Sequence, residues 1–396
     1  MQVLLINPSS PFLIDDKVFP PLGIGYIYAA LKKAGIDVDF LDLAGGGSYE
    51  IDYSGYNVVG ITMTTPQIEG AKQIAKHIRS ADPHPTVVAG GCGVMSLDDK
   101  TAFDVIFKGE GEIGFVDMIN SAINKGECDG GMIGDIDTIP YPDRSIFKDY
   151  RYDIDGHPTA TMLTSRGCPM ACSFCLSGAN KSVRRRSVDN IIGEIDDVRS
   201  RGYTGVMFFD DVFTINRDRV RTVGEYLMSK DMVYRCFTHV RVAGKVASAL
   251  ADTNCREVGI GIESGDDNIL RTIRKNYSIV EARQAIKSLK DHGVRVKTFF
   301  MVGLPGETKD TIQSTRRFIA ETRPDDIDVS VYVPFPGTDI YDNRNNYDIS
   351  WNGGNMNNFY KGKPGSYKVS TWTSKLNSDD ILAARDSIEG EFKRWL

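Results

Sequence analysis

The sequence predicts an α/β protein in two successive halves, a doubly wound parallel sheet followed by a partial (β/α)6 barrel, closed by a short helical tail. Three observations carry this. Short apolar runs alternate with helically spaced apolar residues over residues 1–135. The pattern then breaks into Pro, Asp, Tyr and Arg over Ile136–Gly156 (IDTIPYPDRSIFKDYRYDIDG). From Thr159 a second strand-and-helix series begins and runs to about residue 340. The expected organisation is a first domain at 1–135, a linker at 136–155, a barrel at 156–340 and an extension at 341–396.

In the first half the expected strands are Val3–Asn7, Asp37–Asp42, Val58–Met63, Thr86–Gly90 and Val105–Gly109. Gly23–Ala34 has helical periodicity and stops at Gly35, a natural terminator. Gln67–Ser80 aligns Ile68, Ala71, Ile74, Ala75 and Ile78 on one face, with Thr65 placed to cap it and Pro66 in its first turn. Strands alternating with helices give a parallel sheet, and such sheets bind ligands at the carboxyl ends of their strands. Those ends are rich in glycine and hydroxyl residues: Asn7-Pro8-Ser9-Ser10, Thr62-Met63-Thr64-Thr65, Gly90-Gly91-Cys92-Gly93 and Gly109-Glu110-Gly111-Glu112. They admit a large ligand, or equally the tight turns any such sheet requires.

In the second half the expected strands are Thr159–Ser165, Gly205–Asp210, Val233–Val240, Glu257–Ser264, Val294–Gly303 and Asp328–Phe335. Helices are expected at Val188–Arg201, Arg217–Ser229, Ile279–His292 and Lys309–Glu321. A barrel of this kind keeps its chemistry at the carboxyl ends of its strands. Asn343–Gly365 reads as irregular, and Asp379–Leu396 as a closing amphipathic helix.

The bulk numbers narrow the function. Of 396 residues 41% are hydrophobic and 25% charged, which is ordinary globular usage. No apolar run is long enough for a membrane span, and MQVLLINPSS lacks the features of a signal peptide, so a cytoplasmic protein is expected. The net charge of −6 disfavours a nucleic-acid partner, since such affinity comes from neutralised phosphates. Lys181–Arg186 (KSVRRR) is the one basic run, fit either to hold a phosphate or to begin a solvated helix capped by Ser187 and Asp189.

Seven cysteines in a chain without secretory features are read as metal or redox groups rather than a disulfide framework. Cys168, Cys172 and Cys175 follow the first barrel strand with spacing C-x3-C-x2-C. Three thiolates in one loop suit three corners of an iron–sulfur cube and leave the fourth iron open to a small molecule. The alternative is a zinc site completed by a histidine, but the nearest, His157, lies across a predicted strand. Cys92, Cys236 and Cys255 are expected to pack, and Cys128 sits in a glycine-rich connector. His239 ends the third strand, where a lone histidine is either structural or a proton-handling group.

With this loop the sequence resembles the radical S-adenosylmethionine (SAM) superfamily. The resemblance implies a [4Fe–4S] cluster on Cys168, Cys172 and Cys175, with SAM chelating the open iron. It also implies SAM contacts from Phe174 before the third cysteine, Asp210 in Phe208-Phe209-Asp210-Asp211, and Glu263 in Gly259-Ile-Gly-Ile-Glu263-Ser264. Gly303 and Pro305 in Phe300-Met-Val-Gly303-Leu-Pro305-Gly306-Glu307 and Tyr332 in Val331-Tyr332-Val333-Pro334 complete the set. Arg241 is a candidate for the SAM carboxylate, or else for an ordinary salt bridge.

The first half resembles the cobalamin-binding domains that precede such barrels in a flavodoxin-like fold. Pro20-Pro21-Leu22-Gly23, Thr62-x-Thr64, Val87-Val-Ala-Gly90-Gly91, Lys108-Gly109-Glu110-Gly111-Glu112 and the linker Ile139-Pro140-Tyr141-Pro142-Asp143 carry the likeness. The implied cobalamin contacts are Leu22, Thr62, Thr64, Gly90, Gly91, Gly109 and Glu110. A DxHxxG motif is absent, so no histidine is implied below cobalt. The resemblance implies reductive cleavage of SAM to a 5′-deoxyadenosyl radical and methylation of an unactivated carbon of a small molecule, with an electron donor such as flavodoxin or ferredoxin. Cyclisation, rearrangement or epimerisation without methyl transfer is the enzymatic alternative. An iron–sulfur or corrinoid carrier is the non-enzymatic one.

Overall fold

A computed structural model describes residues 1–10, 13–179, 182–352 and 368–393. The chain forms two compact units, one of Met1–Arg151 and one beginning at Tyr152.

The first unit runs β1 (Gln2–Asn7), α1 (Leu22–Lys33), β2 (Asp37–Asp42), β3 (Val58–Thr62), α2 (Ile68–Ile78), β4 (Thr86–Gly90), β5 (Val105–Lys108), α3 (Gly111–Asn120) and β6 (Gly126–Asp129). All six strands are parallel, in the order β2-β1-β3-β4-β5-β6. Strand residues alternate between two cores. Leu4, Ile6, Val59, Ile61, Val87 and Ala89 join α2 on one face, while Val3, Leu5, Val58, Val88 and Val105 join α1 and α3 on the other. Cover on both faces is why these strands read as continuous apolar runs. The strand order reverses between β1 and β3, which makes their carboxyl ends the switch point. Most of the expected linker packs here: Asp143 N donates to Gly25 O at 3.0 Å and Arg144 is buried.

The second unit opens with β7 (Asp153–Ile154) and β8 (His157–Met162), then the short ribbon of β9 (Ser165–Arg166) and β10 (Arg184–Arg185), with α4 (Leu176–Ala179) between them. It continues through α5 (Val188–Ser200), β11 (Gly205–Phe208), α6 (Arg217–Ser229), β12 (Val233–Thr238), α7 (Val240–Ala251), β13 (Cys255–Glu263), α8 (Asp267–Thr272), α9 (Ile279–Asp291), β14 (Arg295–Val302), α10 (Lys309–Thr322) and β15 (Asp326–Val331). Then follow α11 (Asp339–Asp342), β16 (Ser350–Trp351), β17 (Thr371–Trp372) and α12 (Ser378–Phe392). Strands β8, β11, β12, β13, β14 and β15 are parallel neighbours in sequence order, and β7 adds antiparallel to β8. Among the described residues β8 and β15 do not pair, so the barrel is partial.

Local chemistry sets the helix starts. Ser187, Asn216, Ser278, Thr308 and Asn377 each accept from a backbone N–H of the first turn. In the first unit the cap precedes α2 by a short 3₁₀ turn over Thr65–Gln67, so Thr64 rather than Thr65 takes the cap position. The expected C-terminal helix forms as α12 up to Phe392; its last residues, 394–396, lie outside the described residues. The stretch read as irregular contributes β16, which pairs antiparallel with β17, and residues 353–365 of it lie outside the described residues. Within the described residues no helix is long and apolar enough to cross a membrane.

Candidate active site

The three cysteines sit in the loop from Gly167 to Val183, which leaves the carboxyl end of the first barrel strand. The loop is pinned at its base. Strands β9 and β10 pair Arg166 with Arg184 and Ser165 with Arg185. Gly167 takes φ +90, and a Cβ there would collide with Ser182 O, so only glycine fits that corner. Asp210, fully buried after β11, accepts from Thr164 N at 3.0 Å, from Thr164 Oγ1 at 2.7 Å and from Ser165 Oγ. Burial pushes its carboxyl up, and the Ser165 and Thr164 donors oppose that. Both oxygens are therefore engaged by the loop's own approach, and the role this geometry gives Asp210 is bracing the loop. Arg186 is likewise internal. It pairs with the buried Glu194 and donates to Leu163 O at 2.9 Å, so Arg186 is turned inward rather than toward a phosphate or solvent, while the helix start expected beside it forms with Ser187 as its cap.

The tip of the loop is stitched to two helices. Ser173 N donates to Ile273 O at the carboxyl end of α8, and Ile340 N in α11 donates to Ser173 O, both at 3.0 Å, so the segment between Cys172 and Cys175 is held from the helices that follow β13 and β15. Cys168 is 9% exposed, and Cys172 and Cys175 are half-buried with free thiols. Burial pushes the Cys172 thiol up to about 11, and the neighbouring Cys175 and Cys168 push the same way while Lys275 opposes. Thiols held in this state release their protons to iron on binding. In an iron–sulfur cube each of the three thiolates would take a different iron.

The other expected contacts line the same end of the barrel. Glu263 ends β13 at φ +70, beside a register shift, and is 8% exposed. The two glycines before it are spatial requirements. A Cβ on Gly259 would lie 2.6 Å from Phe237, and one on Gly261 would strike Glu263 Oε1. Phe174 is half-buried with the Lys275 ammonium 5.7 Å from its ring centre. Tyr332 is buried, and its hydroxyl has no hydrogen-bond partner among the described residues. Gly303, at φ +89, and Pro305 are buried, and a Cβ on Gly303 would meet Ile381 of α12 at 3.2 Å. The C-terminal extension thus closes over this turn. Arg241 is exposed in the first turn of α7.

His239 caps α7, its Nδ1 accepting from Arg241 N at 3.3 Å. Burial first, then the charges of Lys275 and Arg241, push its pKa down to about 3. It stays neutral across the working range, which fits the structural reading and not the proton-handling one.

Two further residues are buried here, Lys275 outside every motif and Glu307 at the end of one but without an expected role. Lys275 pairs with Glu263 at 2.8 Å. Glu307 accepts from Gly303 N at 2.6 Å and Leu304 N at 3.3 Å, fastening the Gly-Leu-Pro-Gly turn. Burial raises the Glu307 carboxyl from the ordinary 4.5 to about 8 against those two donors. The folded chain then holds a proton that the unfolded chain releases, so stability should fall as pH rises between about 4.5 and 8. Glu307→Gln keeps an acceptor for both amides and should flatten that component in denaturant titrations across the same range. For Asp210→Ala, three donors lose their acceptor, and a loss of about 2–4 kcal/mol with reduced iron loading is expected. Thermal unfolding and iron content check it.

In the first unit the expected cobalamin contacts lie side by side along the carboxyl edge of β3, β4 and β5. Thr62 is in register with Gly90. A Cβ on Gly90 meets nothing within 4 Å, so this edge is open. Gly91 and Gly109 have φ +86 and +77, and a Cβ on either would lie 2.7 Å from backbone oxygen, so local geometry alone demands glycine there. Thr64 is exposed, and its N–H and hydroxyl both donate to Gln67 Oε1; Gln67 in turn donates to Pro8 O at 2.6 Å, tying the β1 and β3 loops. Leu22 begins α1, and Glu110 starts α3 with Oε2 accepting from Ile133 N at 2.6 Å. Cys92 is exposed after β4, contrary to the packing expected, whereas Cys236 and Cys255 are core. Cys128 lies in the edge strand β6.

Fold and site together define a metalloenzyme class, with an iron–sulfur loop at a barrel mouth and a second, sheet-borne ligand edge. Comparison with known proteins specifies the class. Residues 162–319 match the radical SAM superfamily and residues 16–119 the B12 binding domain. The chain thus carries a radical SAM domain and a B12-binding domain, which mark it as an enzyme and imply a [4Fe–4S] cluster, SAM and cobalamin as its cofactors. It is 28% identical over 384 residues to an uncharacterized methyltransferase of Pyrococcus horikoshii, covering 86% of this chain and 83% of that one. It is 26% identical to the bacteriochlorophyllide d C-12(1)-methyltransferase of Chlorobaculum tepidum, covering 86% and 77%. It is also 26% identical to the anaerobic magnesium-protoporphyrin IX monomethyl ester cyclase of Cereibacter sphaeroides, covering 82% of this chain and 60% of the cyclase. In fold it matches the radical SAM methyltransferase TsrM of Kitasatospora setae, at a TM-score of 0.69, 16% identity and coverage of 91% and 82%.

Proposed function

We propose that this enzyme transfers a methyl group to an unactivated carbon of a small molecule. The open edge at Gly90, on a chain that also carries the cysteine loop, supports the reading most directly, because methyl transfer needs both cofactors. Among the similar proteins, two named methyltransferases span most of the chain.

Bound together, the cluster and SAM supply a hydrogen-abstracting 5′-deoxyadenosyl radical, and methylcobalamin supplies the methyl group. The chain's own residues place and protect these groups. Cys168, Cys172 and Cys175 would hold three irons of the cluster and would leave the fourth for the amino acid end of SAM. Asp210, Arg186 and the β9–β10 ribbon fix the height of that loop. Glu263, Phe174 and Tyr332 would hold the nucleoside end, and His239 caps α7. Thr62, Gly90 and Glu110 would line the corrin edge. An electron donor such as a flavodoxin or ferredoxin would reduce the cluster.

The test is anaerobic purification from cobalamin-supplied cells, then incubation with reductant and SAM deuterated at its methyl group. Near-stoichiometric cobalamin that acquires the deuterated methyl, together with 5′-deoxyadenosine, supports the reading. Deoxyadenosine from protein without cobalamin would sink methylation and favour the second reading, a radical cyclase, which the cyclase relative supports. Neither product would leave only a carrier.

A further inference from the structure

The carboxyl end of β13 contains a buried ion pair that the cofactor motifs do not include. Lys275 is 6% exposed; its ammonium lies 2.8 Å from Glu263 Oε1 and donates to Gly261 O at 2.9 Å. It also lies 5.7 Å from the ring centre of Phe174 and 5.9 Å from that of Tyr277. The Tyr277 hydroxyl donates to Gly261 O and Ile262 O at 3.1 and 3.0 Å, closing the enclosure from the other side. The absent Cβ of Gly261 makes the room, since it would lie 3.3 Å from Lys275 Nζ and strike Glu263 Oε1.

A desolvated pair of this kind rarely stabilises more than apolar packing would, so stability does not account for it. Glu263 also sits at φ +70, a conformation that costs a non-glycine residue about 1–2 kcal/mol. Burial pulls the Lys275 ammonium down, but the Glu263 carboxylate beside it more than compensates, so the cation persists.

We propose that Lys275 is the positioning residue for Glu263, clamping its carboxylate where it accepts the ribose hydroxyls of SAM and so setting SAM affinity. This rests on the reading of Glu263 as a SAM contact. Lys275 itself touches no reacting atom. Its place, on the loop that also receives Ser173 N at Ile273 O, joins the clamp to the cysteine loop.

The experiment measures the SAM dissociation constant of cluster-loaded protein by anaerobic equilibrium dialysis, with iron content as the control for folding. Wild type, Lys275→Met, Glu263→Gln and the double variant form a cycle. Lys275→Met should keep its iron and bind SAM about tenfold more weakly or worse, because truncating one partner of a desolvated pair strands the other. Glu263→Gln should weaken binding too, and the double variant should bind no worse than the weaker single. Lys275→Arg should recover part of the loss. Full additivity, or unchanged affinity in Lys275→Met beside a weakened Glu263→Gln, overturns the clamp and leaves the Glu263 contact standing. Unchanged affinity in Glu263→Gln removes the contact itself, and the clamp with it. If Lys275→Met loads no iron, Lys275→Gln against Lys275→Arg decides: equal affinities overturn the proposal, and weaker binding by Gln supports it.

Discussion

Replacing any one of Cys168, Cys172 or Cys175 by alanine is expected to remove the [4Fe–4S] cluster and, with it, SAM cleavage, by roughly 10³-fold or more. The loop offers three thiolates and the site needs all three, so no redundancy softens the loss. The thiols are neighbours whose charges act on one another, and the loop is held at Ser173 from the end of α8 and from α11. Truncating one thiol leaves that scaffold in place, so the folded protein should survive with iron and sulfide lost together. Cys236→Ala is the internal control. Cys236 is 1% exposed in the barrel core, and its loss should cost about 1 kcal/mol while leaving iron and deoxyadenosine formation near wild type. Iron and sulfide analysis, with deoxyadenosine quantified after reduction, reads both. Retained cluster in a loop variant would mean that another group on the chain ligates the third iron.

The central strands of the first sheet are legible because burial on both faces writes an unbroken apolar run, as in Thr86–Gly90, which matches the expectation to the residue. The edge strand Asp37–Asp42 is legible for another reason, the alternation of Val38 and Phe40 with aspartates. The strand β6 is not, because GECD is an edge strand with mostly exposed side chains and no apolar signature. The two-residue pairing of β16 with β17 is too short to leave a period. In the site, the cysteine loop announced itself by spacing. Lys275 did not: in Arg271-Thr-Ile-Arg-Lys275 it resembles an ordinary basic helix end, and only the fold reveals that it is 6% exposed against Glu263. Asp210 and Arg186 show the converse. Each was noticed for its charge, yet that charge is consumed inside the loop's own support. The glycines divide in the same way. Gly91 and Gly109 are required by positive φ, so they would be glycine with or without a ligand, and Gly90 alone of the three is left for a ligand to explain.

That distinction makes Gly90→Leu the sharpest test of the first unit. Gly90 ends β4 outside the left-handed region, in register with Thr62, and a Cβ there meets nothing within 4 Å. An isobutyl group therefore costs the apoprotein little, and a strand position generally favours a larger residue over glycine. It would instead project from the edge on which the corrin is expected to lie, and a ring system packed on that edge cannot move aside without giving up its contacts on β3 and β5. Cobalamin content should fall about 100-fold or more, while cluster content and deoxyadenosine formation stay within about twofold, because the cysteine loop belongs to the other unit. Gly91→Ala should behave in the opposite way. Its Cβ would lie 2.7 Å from Met63 O at φ +86, so the unit should lose about 1–3 kcal/mol of stability before any ligand is considered. A Gly90→Leu protein that still binds cobalamin tightly would place the corrin elsewhere on the sheet. One that loses cobalamin and keeps radical formation would separate the two cofactors functionally, because methyl transfer would then fail with hydrogen abstraction intact.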